Sequence, residues 1–187
     1  KKNEFAVNGF SINKGKDVFY AFSLNYLSIN DNAFGNYMII KNFDNKELEK
    51  KLNKIFECIK FEGICEVEFL VDKNDELYFL EVNLRNSTWG YSSTVAGMNL
   101  PILWSEAMLS HKLPKDKLKK FKPFKAMAED TDYYDRVKTK KVSLIKWIFQ
   151  ALSCKCLYIT NLRDMKPVYS KKDKKIRNKL IKVSVFC

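Results

Sequence analysis

Four side chains in the stretch GICEVEFLVDKNDELYFLEVNLR, residues 63–85, could do chemistry together: Glu66, Glu68, Glu81 and Asn83. Residues 65–71 are β-branched and apolar, 72–75 are turn-forming and 76–83 are apolar again, the pattern of two strands joined by a polar turn. Side chains alternate along a strand, so Glu66 and Glu68 share one face of the first strand, and Glu81 and Asn83 share one face of the second. The turn sets the register. A four-residue loop places Glu66 opposite Glu81 and Glu68 opposite Phe79, whereas a six-residue loop places Glu68 opposite Glu81. In either register the three carboxylates and Asn83 lie on one face, with cross-strand Cβ separations of roughly 4.5–8 Å. Carboxylates this close repel, and burying them unpaired costs several kcal/mol, so a positive group is expected among them. Hard oxygen donors with no His or Cys suit Mg²⁺, which is held by one or two carboxylates together with nucleotide phosphates. The plain alternative is an edge hairpin whose acids face water, for which Leu70, Leu80 and Val82 make a poor solvent edge.

The elements that must position these acids lie on either side. Residues 4–12 alternate in part, Asn13-Lys14-Gly15-Lys16 is a turn, and Val18 to Leu24 is an apolar strand. Residues 25–42 read as an Asn-rich loop with a short strand, Tyr37 to Ile40. Phe43 to Lys60 is the clearest helix. Asp44 is placed as its N-cap with Glu47 three residues on, Phe43 and Leu48 take the staple positions, and Leu48, Leu52, Ile55, Phe56 and Ile59 recur at helical spacing. Gly63 is expected to turn the chain back into the acidic strand. Thr94 to Ala96, ended by Gly97, and Leu100 to Leu109, with Pro101 in its first turn, read as short helices. Trp104 is expected in the core.

The motif Glu68-Phe69-Leu70, followed by Leu80-Glu81-Val82-Asn83-Leu84-Arg85, resembles the metal-binding hairpin of the ATP-grasp ligases. That superfamily includes biotin carboxylase, carbamoyl-phosphate synthetase and D-alanine–D-alanine ligase. The order of helix, glycine and acidic hairpin resembles the family as well. The resemblance implies an α+β fold: the C-terminal ATP-grasp lobe, an antiparallel sheet with packed helices. It implies that Glu68, Glu81 and Asn83 hold Mg²⁺, with Mn²⁺ as a substitute, on the ATP triphosphate. Leu70 and Leu80 would pack on the adenine, and Arg85 would steady the acceptor or an acyl-phosphate. Glu4 and Asn8 fall near positions where other members place nucleotide or metal contacts, against the plain reading of an ordinary hairpin. In the relatives the loop after the hairpin meets the acceptor. Here Asn86, Ser87, Trp89 and Ser92 are the candidates, set against simple loop-capping. Asn-Leu-Arg-Asn-Ser-Thr-Trp matches neither biotin carboxylase nor D-alanine ligase at that end, so neither substrate carries over.

By the same resemblance the activity is that of an ATP-dependent ligase joining a small-molecule carboxylate to an amine. The first lobe, which supplies phosphate-binding lysines and the adenine hinge, is expected in the full-length protein. These 187 residues alone are expected to be inactive. The chain opens on Lys1 in the middle of an apolar pattern, as a fragment would.

Charge is unevenly spread. Residues 1–114 hold 13 Lys and Arg against 15 Asp and Glu, and residues 115–187 hold 21 against 7. The division follows: 1–113 as the metal- and phosphate-binding lobe, and 114–187 as a basic, partly helical extension, with Pro114 and Pro123 in a Lys-rich connector. Only four of the basic residues are Arg, the residue suited to bidentate base and phosphate contacts, which argues against sequence-specific nucleic-acid binding. Ser143 to Leu152 carries an apolar stripe (Leu144, Ile145, Ile148, Phe149, Leu152) beside Lys140, Lys141, Lys146 and Lys155. Such a helix can lie on an anionic membrane surface. Packing on its own domain is the expectation here. The second function considered is therefore a degenerate ATP-grasp module binding a membrane surface or polyanion through the basic extension. Asn161 to Pro167 resembles a D-x-x-P element that follows the grasp domain in some relatives, and Ser170 to Lys182 is a charge run expected in solvent. Five cysteines lack framework spacing and His111 is the only histidine, so free thiols and no zinc site are expected. No apolar run reaches the ~18 residues of a membrane span, and no signal peptide is evident, which points to the cytoplasm.

Overall fold

Period-two alternation along the first forty residues builds three strands, β1 (Asn3–Ile12), β2 (Asp17–Ile29) and β3 (Gly35–Lys41), in a computed structural model that describes residues 3–29 and 35–160. The turn between β1 and β2 is the one the sequence announces. Gly15 has φ +75°, and a Cβ there would stand 1.9 Å from the Phe56 carbonyl oxygen, so only glycine lets this turn abut the following helix. That helix, α1 (Lys46–Ile59), leads into β4 (Gly63–Val71) and β5 (Leu77–Asn83). The N-cap is Asn45, not Asp44: Asn45 is extended and its side chain accepts the Leu48 N–H at 3.0 Å. Asn and Asp cap about equally well, so adjacent candidates are not separable by composition. The helix is left through Lys60 in the left-handed conformation rather than through Gly63.

The remaining elements are α2 (Tyr91–Val95), α3 (Leu100–Ser110), β6 (Phe124–Met127), α4 (Glu129–Asp132), a wide helical turn Tyr133–Lys138, α5 (Leu144–Leu152) and β7 (Cys156–Leu157). One sheet runs β5-β4-β1-β2-β3-β6-β7. Its neighbours are antiparallel except for β6 and β7, which run parallel, so the expected antiparallel sheet is mixed at one edge. The expected division at residue 113 leaves β6 and β7 in the extension, where they lengthen this same sheet.

Each face of the sheet is covered differently. On one, Leu48, Leu52 and Phe56 of α1 bury against Val7, Tyr20, Cys65, Val67 and Phe69. Full burial of a side chain such as Leu52 contributes roughly 1.5–3 kcal/mol. On the other, Met98, Leu100, Leu103 and Ala107 cover Phe10, Ile12, Leu24 and Ile40, with Trp104 packed at the margin. That second cover stops short. Along β4 it ends near Ile64, so Glu66 and Glu68 fall beyond it; along β1 it takes in Ala6, with Asn8 and Glu4 on either side of that residue.

The stripe on α5 departs from expectation. Trp147 and Gln150 turn toward the domain, with Trp147 Nε1 donating to Asp132 at 2.8 Å and Gln150 accepting from Arg136 at 3.0 Å. The opposite side carries Leu144, Ile145, Ile148, Phe149 and Leu152, all exposed. The helix is fastened by its polar side, because a buried Asp132–Arg136 pair needs those partners. The stretches Asn161 to Pro167 and Ser170 to Lys182 lie outside the described residues. Among the described residues Cys58, Cys65, Cys154 and Cys156 are free, and no helix is long and apolar enough to cross a membrane.

Candidate active site

The hairpin follows neither expected loop at its turn, and follows the six-residue expectation across the acids. Asp72–Glu76 is a five-residue connection in which Asp72 Oδ1 accepts the Asn74 and Glu76 N–H groups at 2.8 and 2.9 Å. Phe69 pairs with Phe79 but Glu68 pairs with Glu81, leaving Leu80 as a bulge. Across the acids this reproduces the six-residue-loop pairing, with Glu66 opposite Asn83. β1 lies on the other side of β4, with Asn8 opposite Glu66 and Ala6 opposite Glu68. Two rows therefore cross three strands, Asn8–Glu66–Asn83 and Ala6–Glu68–Glu81.

Hydrogen bonds tie the rows together. Asn83 Nδ2 donates to Glu68 and to Glu81, each at 2.9 Å, and Arg85 donates to Asn83 Oδ1 at 3.2 Å. Deeper in, Asn8 Nδ2 donates to Glu66 Oε2 at 2.7 Å, and Ser87 Oγ donates to Asn8 Oδ1 at 2.7 Å. Glu66 is only 4% exposed, which makes it the buried member of the set. Burial pushes its carboxyl up, opposed by the Asn8, Ser87 and Glu68 hydrogen bonds and by the Arg85 charge. Glu68 is pushed up to about 7, first by burial and then by the charges of Glu66, Glu81 and Glu4. A carboxyl raised among like charges in this way is what a site short of positive charge looks like.

These residues line a cleft of about 690 Å³. Glu68, Leu80, Glu81, Asn83, Arg85 and Trp89 of the expected set are on its wall; Leu70, Asn86, Ser87 and Ser92 are not. Leu70 is on the acidic face, opposite Tyr78 and Glu4, and of that row only Glu4 reaches the wall. Ser87 turns inward to cap the turn Thr88–Gly90 and to hold Asn8. Ser92 is fully buried and shares a hydrogen bond with the Tyr158 hydroxyl, joining α2 to the segment after β7. Trp89 Nε1 donates to the Tyr26 hydroxyl at 3.1 Å.

The cleft also takes Glu66, read from the sequence as one of the clustered acids but given no ligand role, and residues that sequence reasoning left out: Tyr26, Asn36, Thr88, Thr131 and Asp135, with Glu4 named only loosely. Nothing local announces Thr131 and Asp135. They arrive because β6 pairs with β3 and carries the following turn to the cleft, where Asn36 Nδ2 donates to Asp135 at 2.6 Å. Tyr26 sits against Gly35, whose Cβ would lie 1.9 Å from the ring.

Glu68 and Glu81, opposed and all oxygen, fit a divalent hard cation in donor type, and the raised Glu68 shows the charge such an ion would relieve. Asn83 currently turns its amide nitrogen to the carboxylates and its oxygen to Arg85, so ligation through Oδ1 needs the amide reversed. Among the described residues no three acidic, His or Cys side chains already converge at ligating geometry.

Residues 37–113 match the family described as the carbamoyl-phosphate synthase L chain, ATP binding domain. No curated protein matches the chain. Among solved structures, biotin carboxylase from Campylobacter jejuni, in complex with β,γ-ATP, is similar at 21% identity and TM-score 0.52, covering 66% of this chain and 29% of that one. The L-amino acid ligase from Bacillus licheniformis is similar at 17% identity and TM-score 0.50, covering 66% and 34%. The biotin carboxylase domain of 2-oxoglutarate carboxylase from Hydrogenobacter thermophilus, solved with MgADP and bicarbonate, is similar at 15% identity and TM-score 0.51, covering 66% and 28%. The chain thus spans about a third or less of the length of these structures, and the likeness is one of fold.

Proposed function

We propose that this chain is an ATP-grasp protein, a reading supported by the family match over residues 37–113 and the likeness in fold, and that its acidic cleft is the phosphate- and metal-binding half of an ATP-dependent carboxylate–amine ligase. Residues 1–113 form the phosphate-binding lobe in this reading, and 114–187 its extension. The observation that carries it is the opposition of Glu68 and Glu81 under one bridging Asn83, at the wall of a cleft whose only Arg is Arg85. Glu68, Glu81 and, with its amide reversed, Asn83 would hold Mg²⁺, or Mn²⁺ in its place. Magnesium, when bound, supplies neutralisation of the β- and γ-phosphate oxygens.

The remaining chemistry is positioning. Leu80, thrown into the cleft by the bulge, offers an apolar surface to the adenine. Leu70 supports that wall from the next row. Arg85, at the rim, holds the acyl-phosphate formed when a substrate carboxylate attacks the γ-phosphorus, until an amine displaces phosphate. Trp89, with Asn86 beside it, borders the acceptor end, while Ser87 and Ser92 fix the loop from behind. Glu66, held by Asn8, packs beneath the ligand carboxylates and fixes β4 against β1. A first lobe in the full-length protein would close the nucleotide between the two.

The test is titration of the 187-residue chain with Mg²⁺ and then Mg-ATP, read by calorimetry and by the fluorescence of Trp89. A saturable divalent site lost in Glu81→Gln and Glu68→Gln, with thermal stability retained, is expected. Wild-type divalent affinity in both variants would remove the assignment.

A further inference from the structure

We propose that α5 seats this protein on an anionic bilayer surface, with its apolar side at the acyl boundary and its lysines among the headgroups. The proposal stands apart from the ligase reading and does not depend on it. Its first support is exposure. Ile145, Phe149 and Leu152 are 70%, 69% and 77% exposed, and Leu144 and Ile148 lie beside them on the same side of the helix. Five large apolar residues on one side of nine is a surface that water disfavours.

The second support is charge. No Asp or Glu occurs from residue 137 to 160, whereas five Lys do. Lys140 and Lys141 stand before the helix, Lys146 along its flank and Lys155 after it, all exposed. The third is rigidity. The opposite side is locked by the Trp147–Asp132 and Gln150–Arg136 hydrogen bonds and by the edge-on Tyr133–Trp147 contact at 5.4 Å. The apolar side is therefore presented at a fixed angle rather than folded in.

The chemistry of the occupant follows. A second copy of this face would set lysine against lysine. A bilayer with anionic headgroups meets both the protruding apolar side chains and the cationic border, and each element adds to partitioning. Since the helix has only nine residues, it lies on the membrane and does not cross it.

Flotation of the full 187-residue chain with vesicles decides it, using phosphatidylcholine alone and phosphatidylcholine with one part in three phosphatidylglycerol. Binding to the second and not the first is expected, weakening as salt rises. Ile145→Glu with Phe149→Glu should lower the partition coefficient by about tenfold or more, and Lys140→Gln with Lys141→Gln and Lys146→Gln by a similar factor. These side chains project into solvent, so melting temperature should hold in both variants. Three results would overturn the proposal: no binding to the anionic vesicles, undiminished binding by the Ile145/Phe149 variant, or a dimer in sedimentation that this variant dissociates.

Discussion

The Asn8 carboxamide donates to the Glu66 carboxylate at 2.7 Å, joining residues 58 positions apart on adjacent strands. Both are buried, and Ser87 completes the chain by donating to Asn8. Asn8→Leu keeps volume but removes the amide that donates to the buried Glu66 carboxylate. Leaving a buried acceptor unmade costs roughly 1–3 kcal/mol, more if it is charged. Denaturant unfolding should show a loss of that order in Asn8→Leu. It should shrink on lowering the pH to 4, where Glu66, whose carboxyl is already raised, takes up a proton.

Stability should also report Glu68 directly. In the folded chain it titrates at about 7 against its ordinary 4.5, so between these values the folded state binds the proton that the unfolded chain has released. Unfolding free energy from this group is therefore greatest below about pH 4.5 and falls as pH rises through 7. Because Glu68 is only half-buried, solvent screening reduces the full span to roughly 2 kcal/mol. Glu68→Gln should flatten the profile over that window, measured by urea midpoints from pH 4.5 to 8. An unchanged slope would place the titration elsewhere.

Local chemistry made much of this arrangement legible. Alternation put Glu66, Glu68, Glu81 and Asn83 on one face, and the apolar recurrence of Leu48, Leu52 and Phe56 announced α1, because both depend on residues within a few positions of each other. What stayed hidden depends on strand order. The bulge at Leu80 converts a five-residue loop into the longer register, a choice made by packing and hydrogen bonding across the whole sheet. Asp135 reaches the cleft only because β6 lies beside β3, some ninety residues away in sequence. Nor does amphipathicity say which side of a helix is used: α5 docks through Trp147 and Gln150 and leaves its stripe outside.

The Asp132–Arg136 pair is the fastening of that extension. Arg136 donates from Nε and Nη2 to Asp132 at 2.6–3.0 Å, stacks 5.0 Å over Tyr37 and is itself buried. Arg136→Met removes one charge and leaves Asp132 buried with the Trp147 N–H, a defect worth roughly 3–5 kcal/mol. Adding Asp132→Asn should recover a substantial part, since the stranded charge is gone. The readout is Trp147 fluorescence during denaturation, which should show α5 releasing earlier in Arg136→Met than in the double variant.

Gly35 sets how close Tyr26 can come to the cleft. An added Cβ would lie 1.9 Å from Tyr26 Cδ1 and 2.4 Å from Cγ, and the ring is nearly buried, so it cannot swing aside freely. Gly35→Ala must either push the ring toward Trp89, whose indole donates to the Tyr26 hydroxyl, or part β2 from β3. Overpacking of this kind costs roughly 1–3 kcal/mol. Because the displaced ring carries Trp89 with it, the acceptor end of the cleft changes shape while Glu68, two strands from Tyr26, and Glu81, three strands from it, do not. The expected result is a shifted Trp89 emission and weakened binding of any ligand at that end, with divalent-ion affinity at Glu68 and Glu81 unchanged by calorimetry. Loss of both together would mean that the two ends of the cleft move as one.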